Sequence, residues 1–298
     1  MKLGLALGSG GARGWCHIGV IRELETMGIE PDMIAGCSMG ALVGAAWAAG
    51  RLDELEDWAR SLTRTKFLTF VDIRLGGGGL IRGRAVMEIL KAIDAPDTIE
   101  ELGKPFLAVA TEMATGREFW LREGSVHDAV RASVSIPGLF SPHCVDGRWL
   151  LDGGLINPVP GSAARALGAD TVIAVNPNGR HDGHLWKPRA EGQGMWGLLT
   201  GDGLREKLPD TLEKLLPETT TESPQPPDYV DVVSTSIDIM TDYMRKTRAA
   251  GDPPHVSLDA DLMDEVMITD LFRAERAIEE GHKMVRDQAD TIARICGV

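Results

Sequence analysis

Short uninterrupted apolar runs alternate with amphipathic stretches through the first half of the chain. Lys2–Leu7 (KLGLAL) and Pro31–Ala35 (PDMIA) each read as a strand buried on both faces. Between them, Ile18, Ile21 and Leu24 recur at three-residue spacing, predicting a helix from about Arg13 to Met27 that Gly28 ends. The second strand leads into ALVGAAWAAG, a small-residue helix able to lie close on a sheet and ending near Gly50. This strand–helix–strand–helix order predicts an α/β fold, a three-layer α/β/α sandwich around a mainly parallel sheet.

The pattern continues with helices over Leu52–Thr65 and Gly83–Ile93, separated by the GGGG turn at Gly76–Gly79. Phe106–Thr111 and Glu118–Leu121 read as a hairpin, and Val126–Ser133 as a helix ended by SIPG. HCVDGRWLLDGG holds two short strands around Asp146-Gly147; a helix over Pro158–Leu167 and a buried strand over Thr171–Asn176 follow. Residues 178–228 then turn rich in Gly, Pro and charge, as in ETTTESPQPPD, and read as a flexible insertion. Within it MWGLL and LPDTLEKLL have the spacing of short amphipathic helices. Regular structure resumes near Val230 with a helix, a strand at His255–Leu258 and a last helix over Thr269–Ile295. The expected organisation is one domain over 1–298: a core over about 2–176, the insertion, and a completion over 230–298.

Composition narrows the function classes. With 298 residues, 43% hydrophobic and 25% charged, the chain suits a globular protein with a large core. A net charge of −13 argues against a nucleic-acid partner and against broad adsorption to anionic membranes, leaving local apolar contact with lipid open. Cys16, Cys37, Cys144 and Cys296 are scattered, without a CxxC pair or ligand spacing. Neither a signal-peptide core nor a run of about 20 apolar residues occurs, so a cytoplasmic protein, at most peripheral to a membrane, is expected. No metal or other cofactor is expected.

Candidate chemistry sits in two glycine loops, GSGGARG (Gly8–Gly14) after the first strand and GCSMG (Gly36–Gly40) after the second. A dinucleotide site would need a third glycine where Arg13 stands and an acid at the end of the second strand, where the chain reads Ala35-Gly36-Cys37-Ser38. A Walker loop would need GK[ST], which is absent there. GxSxG between a strand and a helix instead predicts a nucleophile elbow at Ser38, its hydroxyl exposed, with Gly36 and Gly40 sparing collisions. Parallel strands bring both loops to one sheet edge, where amides of Ser9-Gly10-Gly11-Ala12 can face a developing oxyanion. Arg13 either shapes that loop or is a solvated helix-start arginine.

The base is less legible. His181 and His184 fall in the insertion and His282 in a helix, while His17 reads as a packing or loop-fixing residue. Asp152 follows RWLL and precedes Gly153-Gly154, so its carboxylate can approach another backbone closely. Spacing alone leaves it indistinguishable from a turn aspartate.

Taken in order, GSGGARG, GCSMG and LDGG closely resemble the patatin-like phospholipase family, most of all its bacterial cytoplasmic single-domain members. The resemblance covers Lys2 to about Asn176, and more weakly Val230–Val298. It implies a serine–aspartate dyad with Ser38 as nucleophile and Asp152 as base. It also implies an oxyanion hole from Gly10, Gly11 and Ala12, with Arg13 and Gly14 completing the motif. SIPGLFSP (Ser135–Pro142) is similar to a family segment near the site. The implied activity is a serine lipid acyl hydrolase (phospholipase, lysophospholipase or esterase), and the implied partner an acyl ester or phospholipid with transient peripheral membrane contact. A low-turnover regulatory or binding member, or an acyltransferase, is the alternative. Cys37 stands where many relatives have threonine and is expected to point away from the reacting face. The insertion is either a plain surface loop, which composition favours, or a lid with Trp186, Trp196, Leu198 and Leu199 as contacts.

Overall fold

The computed structural model describes residues 1–63, 66, 79–81, 83–179 and 229–298. The chain divides into two units, Met1–His181 with Thr241–Val298, and Asp182–Met240. The insertion from residue 180 to 228, with its two expected short helices, Trp186, Trp196, Leu198, Leu199, His181 and His184, lies outside the described residues. So does the GGGG tract before Gly79.

The first unit is built on β1 (Leu3–Leu7), β2 (Met33–Cys37), β4 (Phe106–Glu112), β5 (Glu118–Leu121), β7 (His143–Val145), β8 (Arg148–Asp152), β9 (Thr171–Asn176) and β10 (Val256–Asp259). They form an eight-stranded sheet in the order β10-β9-β1-β2-β4-β8-β7, with β5 also on β4. β10, β9, β1, β2 and β4 are parallel, and β5, β7 and β8 pair antiparallel. The fold is therefore the expected α/β sandwich with a mainly parallel sheet. A pair the apolar pattern does not signal, β3 (Gly79–Ile81) with β6 (Gly138–Phe140), forms a separate parallel ribbon.

The continuous apolar runs follow from burial on both sides. Leu5, Leu7, Ile34, Ile173 and Val175 face one core with α1 (Cys16–Thr26), α2 (Met39–Ala48) and α8 (Ala274–Asp287). Ala6, Ala35, Leu107, Val109, Val172 and Ala174 face the other, against Ala163 and Ala164 of the short α6 (Gly161–Ala166). Small side chains on that second face let α6 sit close. The remaining helices are α3 (Leu52–Ser61), α4 (Arg84–Ala92), α5 (Val126–Ser133), α7 (Tyr229–Gly251) and α9 (Ala289–Cys296). Only residues 229–240 of the second unit are described, as the start of α7, and there Val232, Ile239 and Met240 are exposed.

The expected last helix is two helices, broken at Gln288, and it starts at Ala274 rather than Thr269. Residues before it turn instead, so that the Ile268 carbonyl accepts from the Ala12 N–H at 2.9 Å. The segment thereby supports the first glycine loop.

The strand registers bring the ends of β2 and β8 together. β4 pairs with β2 over Phe106–Val109, with β5 over Ala108–Thr111 and with β8 over Ala110–Glu112. A strand has two edges, and β5 overlaps both other partners along β4. β2 and β8 must therefore share the opposite edge, end to end. β2 finishes with Cys37 opposite Val109, and β8 finishes with Asp152 opposite Ala110, the next residue.

Candidate active site

Ser38 stands at the point where β2 stops. Its φ of 55° and ψ of −120° are a strained conformation for a residue with a side chain, found where a strand turns sharply into a helix. The flanking glycines make the turn possible. A Cβ on Gly40 would overlap the Leu7 carbonyl, and one on Gly36 the Gly40 carbonyl. The Ser38 carbonyl accepts from Ala41 and Leu42 at the head of α2, while the N–H groups of Met39 and Gly40 have no acceptor among the described residues. Contrary to the expected exposed hydroxyl, Ser38 is only 2% exposed.

Asp152 is also buried, 4% exposed, at the last position of β8. Its Oδ1 accepts from the Gly154 N–H at 2.7 Å, and its Oδ2 is buried without a hydrogen-bond partner of good geometry. Burial pushes the carboxyl up to about 6, against downward pulls from the Ser38 hydroxyl and the Gly154 N–H. The serine thus acts on the carboxyl from nearby without a well-aligned bond. Thr111 Oγ1 donates to the Asp152 carbonyl at 2.8 Å, and the Asp152 N–H donates to the Ser135 carbonyl at 2.9 Å. Segment 135–142 therefore touches this residue directly. Gly153 is required next, since a Cβ there would overlap the Val109 carbonyl.

Cys37 sits in the core on the α6 side of the sheet, next to the Asp152 carboxyl. Its buried Sγ lies 4.0 Å from Asp152 Oδ1, because β2 ends against β8 and the thiol faces the junction. Burial, then the Asp152 charge, holds this thiol well above its usual range, so it stays protonated.

The first glycine loop lies across the neighbouring strand end. Gly8 N–H donates to the Val175 carbonyl at 2.9 Å and Ser9 N–H to the Pro158 carbonyl at 2.8 Å. His17 Nε2 meets the Gly8 carbonyl at 2.8 Å, and burial lowers this histidine to about 4, so it is neutral and donates there. Gly11, at φ +54°, cannot carry a side chain without overlapping the Ile268 carbonyl. Ala12 and Arg13 N–H groups are already engaged, with Ile268 and Gly10 carbonyls respectively. Those of Gly10 and Gly11 have no acceptor among the described residues. Gly14 packs against Met39 of α2, joining the two loops. Arg13 is 3% exposed, with its Nε 3.4 Å from the Gly10 carbonyl and Nη1 against Met263 Sδ, so it belongs to the loop and not to solvent.

Two further histidines downstream of Ser38 are occupied elsewhere. His255 Nδ1 accepts from Val172 N–H at 3.0 Å and His282 Nδ1 pairs with Glu23 at 2.9 Å. Among the described residues no group of three or more His, Cys, Asp or Glu is placed to hold a metal ion, and no helix is long and apolar enough to cross a membrane.

The family of patatin-like phospholipases matches residues 5–165, more than half of the chain, including both glycine turns and Asp152. The chain belongs to that family. Among curated patatin-like relatives, an uncharacterised NTE family protein of Mycobacterium tuberculosis is 45% identical over 182 residues, 61% of this chain and 51% of that protein. The chain thus spans about half the length of that relative. The human patatin-like phospholipase domain-containing protein 6 is 32% identical over 221 residues, 71% of this chain and 16% of the larger protein. Neuropathy target esterase sws of Drosophila melanogaster is 32% identical over 204 residues, 66% of this chain and 14% of that protein. VipD of Legionella pneumophila shares the patatin fold, with a TM-score of 0.51 at 14% identity over 97% of this chain and 67% of its own.

Proposed function

We propose that the protein is a serine hydrolase of lipid acyl esters, working through a Ser38–Asp152 dyad. The observation that carries this is the head-on meeting of β2 and β8, which sets a strained serine beside a buried carboxyl with one oxygen unpartnered. Family membership, and relatives named as esterase and phospholipase, support the same reading. Ser38 Oγ attacks the ester carbonyl as its proton passes to Asp152 Oδ2. The carbonyl oxygen becomes an oxyanion that accepts from the Gly10 and Gly11 N–H groups; Ala12 and Arg13 shape the loop by their own bonds. Collapse breaks the ester C–O bond, and the leaving alcohol takes the proton from Asp152. Water then attacks the acyl-serine, giving its proton to Asp152, and the second collapse frees the acid and restores the serine hydroxyl. If an alcohol takes the place of water, the same steps make an acyltransferase.

Turnover of p-nitrophenyl acyl esters by Ser38→Ala and Asp152→Ala is expected to fall about a thousandfold or more, with far-UV circular dichroism unchanged. A fluorophosphonate probe is expected to label wild type at Ser38 and leave Ser38→Ala unlabelled. Wild-type turnover in both variants would end the mechanism. A folded wild type that resists the probe would favour a low-turnover binding protein.

A further inference from the structure

We infer that Ser133 is a positioning residue for the nucleophile, and that the segment Ser133–Ser135 sets the backbone spacing between nucleophile and base. This rests on the Ser38–Asp152 reading. The ladder of β2 on β4 ends with Cys37 opposite Val109, and the Ser38 N–H bonds to a side chain and not to a β4 carbonyl. The Ser133 hydroxyl fills the next rung. It accepts from Ser38 N–H at 2.8 Å and donates to the Val109 carbonyl at 2.6 Å, using both of its capacities in a fully buried place. Val109 is the β4 residue opposite Cys37, so the hydroxyl ties the elbow to the strand on which β8 also ends.

Two residues on, the Ser135 carbonyl accepts the Asp152 N–H at 2.9 Å. One short stretch at the end of α5 therefore holds a main-chain amide of each dyad member. That stretch is itself pinned. Arg131, 2% exposed, donates through Nη1 to Ser135 Oγ at 2.7 Å and through Nη2 to the Ser141 carbonyl at 2.8 Å. Ser135 Oγ returns a bond to the Arg131 carbonyl at 3.0 Å. Movement of Ser133 would free the strained amide of Ser38 and let the elbow relax away from Asp152 without disturbing either side chain's identity.

The test uses the whole chain and the fluorophosphonate rate at Ser38, alongside p-nitrophenyl butyrate kinetics. Ser133→Ala leaves a buried N–H and a buried carbonyl unpaired, and both the labelling rate and kcat are expected to fall about ten- to a hundredfold, with KM within about threefold. Ser133→Thr keeps the hydroxyl and is expected to recover most of the rate. Ser133→Cys, nearly isosteric with a poorer acceptor, is expected to fall between wild type and alanine, and serves where alanine does not fold. A merely structural residue would lower the melting temperature of these variants while the folded fraction labels at the wild-type rate; that result overturns the inference. If wild type labels and Ser133→Ala labels equally fast, only this inference fails. If Ser38→Ala turns over like wild type, the parent mechanism fails instead.

Discussion

The two glycine turns look alike in sequence, yet they are held in opposite ways. The Gly8–Gly14 loop is anchored from many directions: the carbonyls of Val175, Pro158 and Ile268, the His17 ring on Gly8, and Asn178 Nδ2 on the Ser9 carbonyl at 2.8 Å. The elbow at Ser38 instead rests its amide on one hydroxyl, that of Ser133. A loop that offers amides at a fixed place, as proposed for this one, gains from distributed support, because no single contact sets its shape. The elbow must hold a conformation its own residue disfavours, so support is concentrated where the strain is.

Replacing a glycine at a backbone contact should break either turn, and this is the largest effect expected. Gly40→Ala drives a methyl into the Leu7 carbonyl, and urea unfolding should show a loss of about 3 kcal/mol along with esterase activity. Normal stability and activity in that variant would mean the elbow is far looser than described.

An intermediate effect concerns charge. In the proposed dyad Asp152 must be ionised to accept a proton, and burial raises it to about 6, so kcat/KM should rise with pH through a single limb near 6 and level off above 7. His17, lowered to about 4, stays neutral throughout and should add no second limb. The folded carboxyl is harder to ionise than the unfolded one. Its contribution to stability is therefore full below about pH 4 and lost as pH rises through 6. Asp152→Asn should consequently be inactive but more stable than wild type at pH 8, by roughly 3 kcal/mol, and nearly indistinguishable at pH 4. Equal melting temperatures at pH 8 would argue that the carboxyl is not desolvated.

The smallest effect sharpens the contrast. Asn178→Ala removes one of the loop's several anchors and should slow fluorophosphonate labelling by less than about threefold. A loss comparable to that expected of Ser133→Ala would show that the loop, too, hangs on a single contact.

Much of this was readable from residues in order. Strands buried on both faces announce themselves as runs such as TVIAVN, and the elbow as glycines around a serine between a strand and a helix. Asp152 was not legible by itself, because Asp-Gly also marks ordinary turns and its partner lies 114 positions upstream in the chain; only the family resemblance pointed to it. The buried thiol of Cys37 beside Asp152, the Ser133 bridge and the Ile268 carbonyl under Ala12 left no local signal. Each depends on contacts across the sheet or between distant segments, where neighbouring residues do not dictate geometry. The final helix starts at Ala274 and not at Thr269 because the residues between them close short turns on the carbonyls of Met267, Thr269 and Asp270, while the Ile268 carbonyl goes to Ala12 of the glycine loop.

Because β2 and β8 terminate against adjacent residues of β4, Val109 and Ala110, β4 acts as a ruler that neither Ser38 nor Asp152 belongs to. One residue inserted between those two positions would add a strand rise of about 3.3 Å between the two attachment points and reverse the faces of the later β4 side chains, or be absorbed as a bulge. In the proposed dyad the spacing is thus counted partly in whole residues of a bystander, which makes β4, beside the Ser133–Ser135 stretch, a place to perturb it.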